Sequence, residues 1–559
     1  MLSIGAVLPF LAALSSPETV FNHELSKPLV DAVGASGPYD LLDPITALFC
    51  FTVLVAAVVR ALTLWLRTRI TFAIGSDLST EIYRRTLYQP YSVHLTRNSS
   101  EVVDGISGKV NTVIGGVVSP ALIILSNTLM LILIFSALLF FEPLATLASF
   151  GGFGLIYWLI HQSARSRLKS NSRQIAQAST RLIRLVQEGL GGIRDVLLNS
   201  LQSTYCVDYK MTDGSLRQAQ SKNTFISELP RLAIESSGIC IIAALALYLA
   251  HSPEGFKGAL PILGAVAIAA QRLLPLLQQI YQGFSNMSGS DQSLLDTLRF
   301  LEQPLSEEFR NNEYPPIEFE KAISFRQVGF RYSSDGPWIL RDLDLEIPKG
   351  RRVGLIGSTA SGKSTFLDIF MALLHPSEGS LYIDGREITT ANCSGWRDRI
   401  SHVPQSIYLT DATIAENIAF GVPRDRIDML RVSNAAKSAY IADEIEKMPY
   451  GYNSVVGERG VRLSGGQRQR IGLARALYRE ADVLVLDEAT SALDNATELE
   501  VMRAIGEVDP NLTIIIVAHR LSSLSQCDFV IELGNEKILR MGTYASLIGA
   551  REKLNQVMK

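Results

Sequence analysis

The residues between 353 and 365 have the types and spacing that bind a phosphate chain. An apolar run, VGLI, leads into GSTASGKS, so that glycines stand at Gly357 and Gly362 and are followed by Lys363. Such glycines let backbone N–H groups curl around a phosphate, and a helix that begins there points its positive dipole end at the same anion. Lys363 would reach the β- and γ-phosphates, and the Ser364 hydroxyl would hold Mg²⁺. The pattern predicts a nucleoside triphosphate site; the alternative is a glycine-rich turn that binds nothing.

Two adjacent carboxylates follow a second apolar strand pattern, VLVL at 483–486. At the end of that strand, Asp487 is placed to bind the metal ion and Glu488 to polarise an attacking water. Two neighbouring acidic residues alone would be weak evidence for catalysis. The assignment therefore depends on the motifs that surround them.

The elements that position these residues fill only the second part of the chain. Its 559 residues have a mean hydropathy of +0.19 and only 19% charged residues, which is too apolar for a soluble protein of this size. Runs long enough to cross a bilayer, which needs about twenty apolar residues, occur at 46–66, 112–141, 143–161, 232–250 and 259–283. These runs predict five membrane spans and exclude a fully soluble or disordered chain.

A sixth apolar run, residues 2–14, is too short to cross the bilayer unaided. It fits a first span that lacks its inner half, so we expect the gene product to extend upstream of Met1. The alternative is a signal peptide, although no basic residue precedes the apolar run.

The charges of the loops predict the orientation of the spans. Residues 15–45 contain five acidic residues and one lysine, whereas 67–109 contain six basic residues and 163–222 contain ten. By the positive-inside rule the two basic segments are cytoplasmic and 15–45 is external. Both basic segments are predicted to extend the spans as helices below the membrane.

A polar, proline-marked stretch divides the chain. We predict a transmembrane domain over 1–302, a linker over 303–316 and a cytoplasmic α/β domain over 317–559. The net charge of −3 and the pI of about 6.2 give no basic field for nucleic acid. Five scattered cysteines without a C-x-x-C pair argue against a disulfide framework and a zinc site.

The order of motifs in the α/β domain resembles the ATP-binding cassette (ABC) family over roughly residues 320–550. LSGGQ stands at 463–467, the carboxylate pair at 487–488, SALD at 491–494, and an apolar strand at 514–517 leads to His519. The resemblance implies a P-loop nucleotide-binding domain behind a helical transmembrane domain of the six-span exporter type, with ATP and Mg²⁺ as cofactors.

The resemblance also implies roles for single residues. Glu488 is the implied catalytic carboxylate, Gln405 touches Mg²⁺ and the attacking water, and His519 contacts the γ-phosphate. Tyr332 stacks on adenine, unless it is a core residue beside Phe330 on one strand face. The implied binding set is completed by metal ligands Ser364, Gln405 and Asp487 and by nucleotide contacts Gly357, Ser361, Gly362, Lys363, Thr365, Ser464, Gly466, Gln467 and Asp494.

One cassette per chain implies assembly with a second chain. In this family the signature residues Ser464, Gly466 and Gln467 close over nucleotide held by the opposite cassette's Lys363. The intact catalytic set favours a homodimer, and a heterodimer with an equally intact partner is the alternative.

Further phrases resemble exporter half-transporters and, among these, bacterial flippases of lipid-linked oligosaccharides. TDATIAENI at 410–418 and GERG at 457–460 are of exporter type, while VRAL at 59–62, LPRL at 229–232 and RLLP at 272–275 echo the flippases. The resemblance implies outward translocation of an amphipathic or lipid-linked substrate across the cytoplasmic membrane. A peptide, protein or drug exporter and a regulatory or channel-gating cassette protein are the alternatives.

Two arginines inside predicted spans mark a candidate substrate path. Arg60 and Arg272 both lie roughly 20 Å below the outer face at 1.5 Å per residue. A charge at the centre of a bilayer costs about 2.5–3.5 kcal/mol on insertion scales, so it normally faces a wet cavity or a partner. Facing a cavity, the two arginines would suit a phosphate or pyrophosphate headgroup. Otherwise they snorkel to the cytoplasmic interface, or Glu235 neutralises one of them.

Overall fold

The computed structural model describes residues 18, 21, 37–141, 143–250, 273–305, 317–489, 500–505, 511–518 and 524–547. The chain divides into two compact units. The helical unit comprises Met1–Leu87 and Arg97–Pro304, and the α/β unit comprises Tyr88–Thr96 and Leu305–Lys559. The change of unit after Pro304 falls inside the predicted linker, while the exact domain boundaries stay a prediction.

Long helices form the helical unit, and they continue well beyond the apolar runs. Two helices among the described residues are long and apolar enough to cross a membrane, Pro38–Leu87 and Ser99–Ser136. The segments predicted to extend the spans are helical over much of their length, including 67–87, 163–191 and 202–222. The helices in this part of the chain include α1 Leu42–Leu87, α2 Tyr91–Thr96, α3 Ser99–Val103, α4 Val110–Val113, α5 Ser119–Phe141, α6 Pro143–Gly191, α7 Ile193–Leu198, α8 Gln202–Ala250 and α9 Asp291–Leu301. Of these, α2 belongs to the α/β unit.

Parts of the predicted membrane domain lie outside the described residues. These parts are the short run at 2–14 and the beginning of the span predicted at 259–283, including Arg272. Residues 273–289, at the end of that span, are helical.

The polypeptide between α3 and α5 packs closely on its neighbours. Two π-helical turns, Asp104–Lys109 and Ile114–Val118, flank α4. A Cβ at Gly105 would lie 2.5 Å from the ring of Phe300, so only glycine allows this approach to α9. Asp104 is fully buried and accepts hydrogen bonds from Ser179 (3.0 Å) and Thr180 (2.6 Å) of α6. A buried carboxylate with two donors therefore joins this segment to α6.

The α/β unit contains two sheets. Their strands are β1 Ala322–Phe330, β2 Leu340–Pro348, β3 Arg352–Gly357, β4 Glu378–Ile383, β5 Arg386–Glu387, β6 Ile400–Val403, β7 Val483–Asp487, β8 Thr513–Val517, β9 Phe529–Gly534 and β10 Lys537–Gly542. One sheet has the order β2-β1-β4-β5 and is antiparallel; the other has the order β10-β9-β3-β8-β7-β6 and is parallel except for β10.

The parallel sheet brings the ends of four strands to one edge. The apolar runs in β3, β7 and β8 are buried, as expected for parallel strands covered on both faces. In register, Leu355 of β3 and Asp487 of β7 both pair with Val517 of β8, and Val403 of β6 pairs with Leu486 of β7. The residues that follow these strands therefore meet at the carboxyl edge, where α/β proteins bind their ligands.

The helices of the α/β unit include α10 Lys363–Phe370, α11 Cys393–Arg397, α12 Ile414–Ile418, α13 Met429–Ser438, α14 Ala442–Glu446 and α15 Gly465–Tyr478. Phe366 and Phe370 of α10 are buried and stack with Phe325 of β1. This packing fixes the helix that begins at the phosphate-binding turn.

Candidate nucleotide site

The glycine-rich turn connects β3 to α10 as the sequence predicts. Gly362 has a φ of +91°, and a Cβ there would lie 2.8 Å from Leu340, so the turn requires glycine. Lys363 begins the helix, and its ammonium donates to the backbone oxygens of Gly357 (3.0 Å) and Ser358 (2.9 Å). The lysine thus bonds to two backbone oxygens of its own turn. The turn lies beside the N–H groups of a helix N-terminus, which is the geometry that binds an anion.

The turn also includes Ser361, Ser364 and Thr365, which the resemblance assigns to nucleotide binding. Ser361 and Thr365 are buried, while Ser364 is exposed. The exposed hydroxyl of Ser364 is available to a metal ion at the mouth of the turn.

Three carboxyl groups gather beside the turn. Asp487 ends β7, Glu488 follows it, and Asp368 lies on α10. Burial raises the pKa of Asp487 and the charge of Glu488 raises it further, with Lys363 acting in the opposite direction. Burial and then the charge of Asp487 raise the pKa of Asp368 to about 6. The negative charge gathered here exceeds what the lysine balances, and a cation would relieve it.

The donor set fits Mg²⁺ in particular. Ser364 and Asp487 offer the oxygen ligands that this ion prefers, and Mg²⁺ takes its remaining ligands from phosphate and water. Among the described residues, no group of three or more His, Cys, Asp or Glu side chains could enclose a metal by itself. A site that shares its metal with phosphate needs no such group.

Gln405 and Glu488 are in direct contact. Gln405 follows β6, and its side-chain amide donates to the Glu488 carboxylate at 2.5 Å. Glu488 has a φ of +51°, and its backbone N–H donates to the Val517 oxygen at 3.0 Å. The structure thus brings together the two residues to which the family resemblance assigns the attacking water.

Tyr332 presents its ring to solvent. Its side chain is 56% exposed, whereas Phe330 is buried, and the two rings meet edge to face at 5.0 Å. The hydroxyl of Tyr332 lies 3.2 Å from that of Thr365. Phe330 is therefore the core residue of the pair, and the Tyr332 ring is available for stacking beside the phosphate-binding helix.

The LSGGQ motif forms the beginning of α15. Ser464 caps this helix, since its hydroxyl accepts from the Gln467 N–H (3.2 Å) and its own N–H donates to the Gln467 side chain (2.8 Å). The Gln467 amide also donates to Glu444 (2.9 Å). Ser464 and Gly465 are exposed and Gly466 is half-buried. The motif therefore offers a helix N-terminus at the surface of its own unit.

Three of the predicted site residues fall on parts of the chain that the structure does not describe. His519, Asp494 and Arg272 lie outside the described residues. Arg60 lies within α1 with an exposed side chain. Glu235 pairs with Arg231 at 2.9 Å on α8. The sequence reasoning missed Asp368; its position five residues after Lys363, on the buried side of an apolar helix, was the available signal.

A helical membrane unit and a P-loop α/β unit with a carboxylate pair define an ATP-driven membrane transporter. Residues 3–253 match the ABC transporter transmembrane region and residues 340–491 match the family described as ABC transporter. The chain belongs to the ABC transporter family, and it is a membrane protein that binds and hydrolyses ATP to drive export.

Related proteins agree with this membership. The chain is 30% identical over 488 residues to an ATP-dependent lipid A-core flippase of Chromohalobacter salexigens, covering 86% of this chain and 83% of the relative. It is 31% identical over 403 residues to a protein of the same name from Pectobacterium atrosepticum, covering 70% and 67%. A bacterial Atm1-family ABC exporter with ATP bound has the same fold, with a TM-score of 0.79 at 23% identity over 98% of this chain and 96% of that chain.

Proposed function

We propose that this chain moves an amphipathic or lipid-linked substrate with an anionic headgroup outward across the cytoplasmic membrane, as a homodimer that uses Mg²⁺ and ATP. The observation that carries the ATPase part is the contact between Gln405 and Glu488 beside the P-loop. Similarity to proteins named lipid A-core flippases supports a lipid substrate.

The hydrolytic step follows from residues of the chain. Glu488 would accept a proton from the attacking water, and Gln405, which contacts its carboxylate, would hold that water in line. Lys363 would exchange the Gly357 and Ser358 oxygens for those of the β- and γ-phosphates. Mg²⁺ on Ser364 and Asp487 would supply charge neutralisation when bound.

The signature helix supports the dimer. Ser464 bonds to Gln467, the Gln467 amide donates to Glu444 of α14, and the Ser464 end of the helix is exposed. We infer that this N-terminus acts on nucleotide held by Lys363 of a second copy. Each dimer would then contain two composite sites.

Mixed dimers test the composite site. A dimer of one Ser464→Arg chain and one Lys363→Ala chain retains one intact pair of Lys363 and Ser464 across the interface, so it is expected to hydrolyse ATP. A dimer of one wild-type chain and one chain with both changes retains none across the interface and is expected to be inactive. ATPase activity is measured on dimers purified through two different tags.

The two arrangements contain the same substitutions, which makes each the control of the other. The opposite pattern, with activity only when both changes share a chain, would show that each site is built within one chain. Tagged wild-type chains that purify only as monomers would also contradict the dimer.

The headgroup proposal predicts a separation of two activities. Replacing Arg60 and Arg272 by lysine is expected to reduce substrate-stimulated ATPase and transport severalfold, because lysine cannot form the bidentate bond of a guanidinium to phosphate. Basal ATPase is expected to stay nearly unchanged. The assay uses vesicles that contain a lipid-linked oligosaccharide pyrophosphate, with Arg231→Lys as the control.

Arg231 is a matched control because its guanidinium already forms an ion pair with the Glu235 carboxylate within α8. Full substrate stimulation and transport in the double Arg→Ala variant would refute the anionic-headgroup proposal. The assignment as an exporter would stand.

A further inference from the structure

A cavity of about 820 Å³ lies within the helical unit, between the segments 97–109, 173–188 and 292–300. By the loop charges, the first two segments are cytoplasmic. Arg173 follows the predicted inner end of its span, residue 161, by roughly 18 Å at 1.5 Å per residue. The cavity therefore lies at a different depth from Arg60, which is inside a predicted membrane span.

Its wall is charged, with an excess of cations. Glu101, Glu188 and Asp296 are the acidic residues, and the cationic residues are Arg97, Lys109, Arg173, Arg181, Arg184 and Arg299. This volume is within the range of about 300–1,000 Å³ that is typical of small-molecule sites. The space is large enough for a ligand with several charged groups.

Most of the acidic charge is already engaged. Asp296 pairs with Lys109 at 2.7 Å and contacts Arg299 at 3.5 Å, in partly buried surroundings. Glu101 lies near Arg97 and acts on its charge. Within the part of the chain that the structure describes, by contrast, no ion pair uses Arg173, Arg181 or Arg184.

These three arginines form a row on one helix. Positions 173, 177, 181 and 184 of α6 share a helical face, and the row is roughly 16 Å long. On another wall, the Arg97 guanidinium lies 4.8 Å from the centre of the Phe300 ring and donates to Gln303 at 3.3 Å. Burial lowers the pKa of Arg97, so its charge has lost part of its hydration. An anion bound in the cavity would compensate the lost hydration of the Arg97 guanidinium by a direct charge interaction.

The positive-inside rule explains why α6 carries arginines, but it does not explain why they surround a cavity. Arg165 and Arg167 belong to the same helix, obey the same rule and are exposed like the three cavity arginines, but neither lines the cavity. Replacing Arg165 and Arg167 therefore removes positive charge from α6 without changing the lining of the cavity.

We propose that this cavity binds a multiply charged oxyanion of the phosphate or pyrophosphate type, held by the α6 arginines together with Arg97 and Arg299. Guanidinium groups bind such anions in a bidentate manner. The anion is a free solute or the headgroup of a lipid. Because it would touch all three wall segments, the bound anion stabilises the packing of this part of the helical unit. The proposal does not depend on the proposed transport of lipids.

Calorimetric titration of the full chain with inorganic pyrophosphate tests the proposal, with saturating ADP present to fill the nucleotide site. Wild type and the Arg165→Ala/Arg167→Ala control are expected to bind alike, with an affinity that falls as salt is raised. The Arg181→Ala/Arg184→Ala variant is expected to bind at least tenfold more weakly. Arg181→Lys/Arg184→Lys, which keeps the charge, is expected to lie between them and reports on folding.

Equal affinity of the Arg181→Ala/Arg184→Ala variant and wild type would overturn the proposal, as would equal loss in the Arg165→Ala/Arg167→Ala control or no binding to wild type. Repeating the titration in nanodiscs with phosphatidic acid or with phosphatidylcholine identifies the source. Competition by phosphatidic acid indicates a lipid headgroup, and unchanged pyrophosphate affinity indicates a soluble anion. If wild type binds pyrophosphate but moves no lipid in vesicles, the proposed function fails and this site stands.

Discussion

Replacing Glu488 by glutamine is expected to lower ATP turnover by about a hundredfold to ten-thousandfold, the usual contribution of a general base. Glutamine has the same shape and still accepts the hydrogen bond from Gln405 through its side-chain oxygen. It cannot take the proton of the attacking water. ATP binding is therefore expected to survive, and the nucleotide-bound dimer should accumulate.

Phosphate release at saturating ATP measures turnover, and gel filtration with ATP detects the trapped dimer. Glu446→Gln provides the control, because Glu446 is an exposed carboxylate at the end of α14, away from the P-loop. Equal turnover of Glu488→Gln and wild type would refute the catalytic assignment.

Replacing Lys363 by alanine is expected to weaken ATP binding by about ten- to a hundredfold. The change removes the ammonium that binds the Gly357 and Ser358 oxygens and, by the proposal, the phosphates. A hydrogen bond to a charged group contributes about 1.5–3 kcal/mol, and each 1.4 kcal/mol changes affinity about tenfold. Equilibrium binding of a fluorescent ATP analogue measures the loss.

Lys437→Ala serves as the reference, since Lys437 is an exposed lysine in the last turn of α13. Wild-type affinity in Lys363→Ala would show that the turn holds phosphate through its backbone alone. A loss of equal size in Lys437→Ala would point to a general effect of charge.

The sequence predicts those parts of the site that are local. The turn between Gly357 and Lys363 depends on a glycine pattern within a few residues, and the position of Asp487 depends on the end of a short apolar strand. Both are found where the patterns predict them. Motifs of this kind carry their geometry within the segment that contains them.

Other features depend on contacts between distant segments, which no short pattern records. The contact of Gln405 with Glu488 requires β6 and β7 to lie side by side in parallel register. The raised pKa of Asp368 depends on the orientation of α10, which brings this carboxyl group close enough to feel the charge of Asp487 at the end of β7. The exposure of Tyr332, beside the buried Phe330, depends on how the chain leaves the end of β1, which the sequence pattern does not determine.

The helical unit likewise has features that the sequence predicts and one that it does not. Its long helices follow from apolar runs and basic extensions, which the sequence displays directly. The cavity beside α6 arises from the packing of three segments that lie far apart in the chain. Its arginines are visible in the sequence only as part of a positive cytoplasmic segment.

The positive φ of Glu488 favours glycine at this position, whereas the proposed chemistry requires a carboxylate. A non-glycine residue held in a left-handed conformation costs about 1–3 kcal/mol, and glycine would avoid this cost. Substitutions to glycine or asparagine would thus keep or improve folding while, by the proposed role of Glu488, ending hydrolysis. Silenced copies of this gene are accordingly expected to yield abundant, well-folded protein, so expression level is no guide to whether a homologue is active.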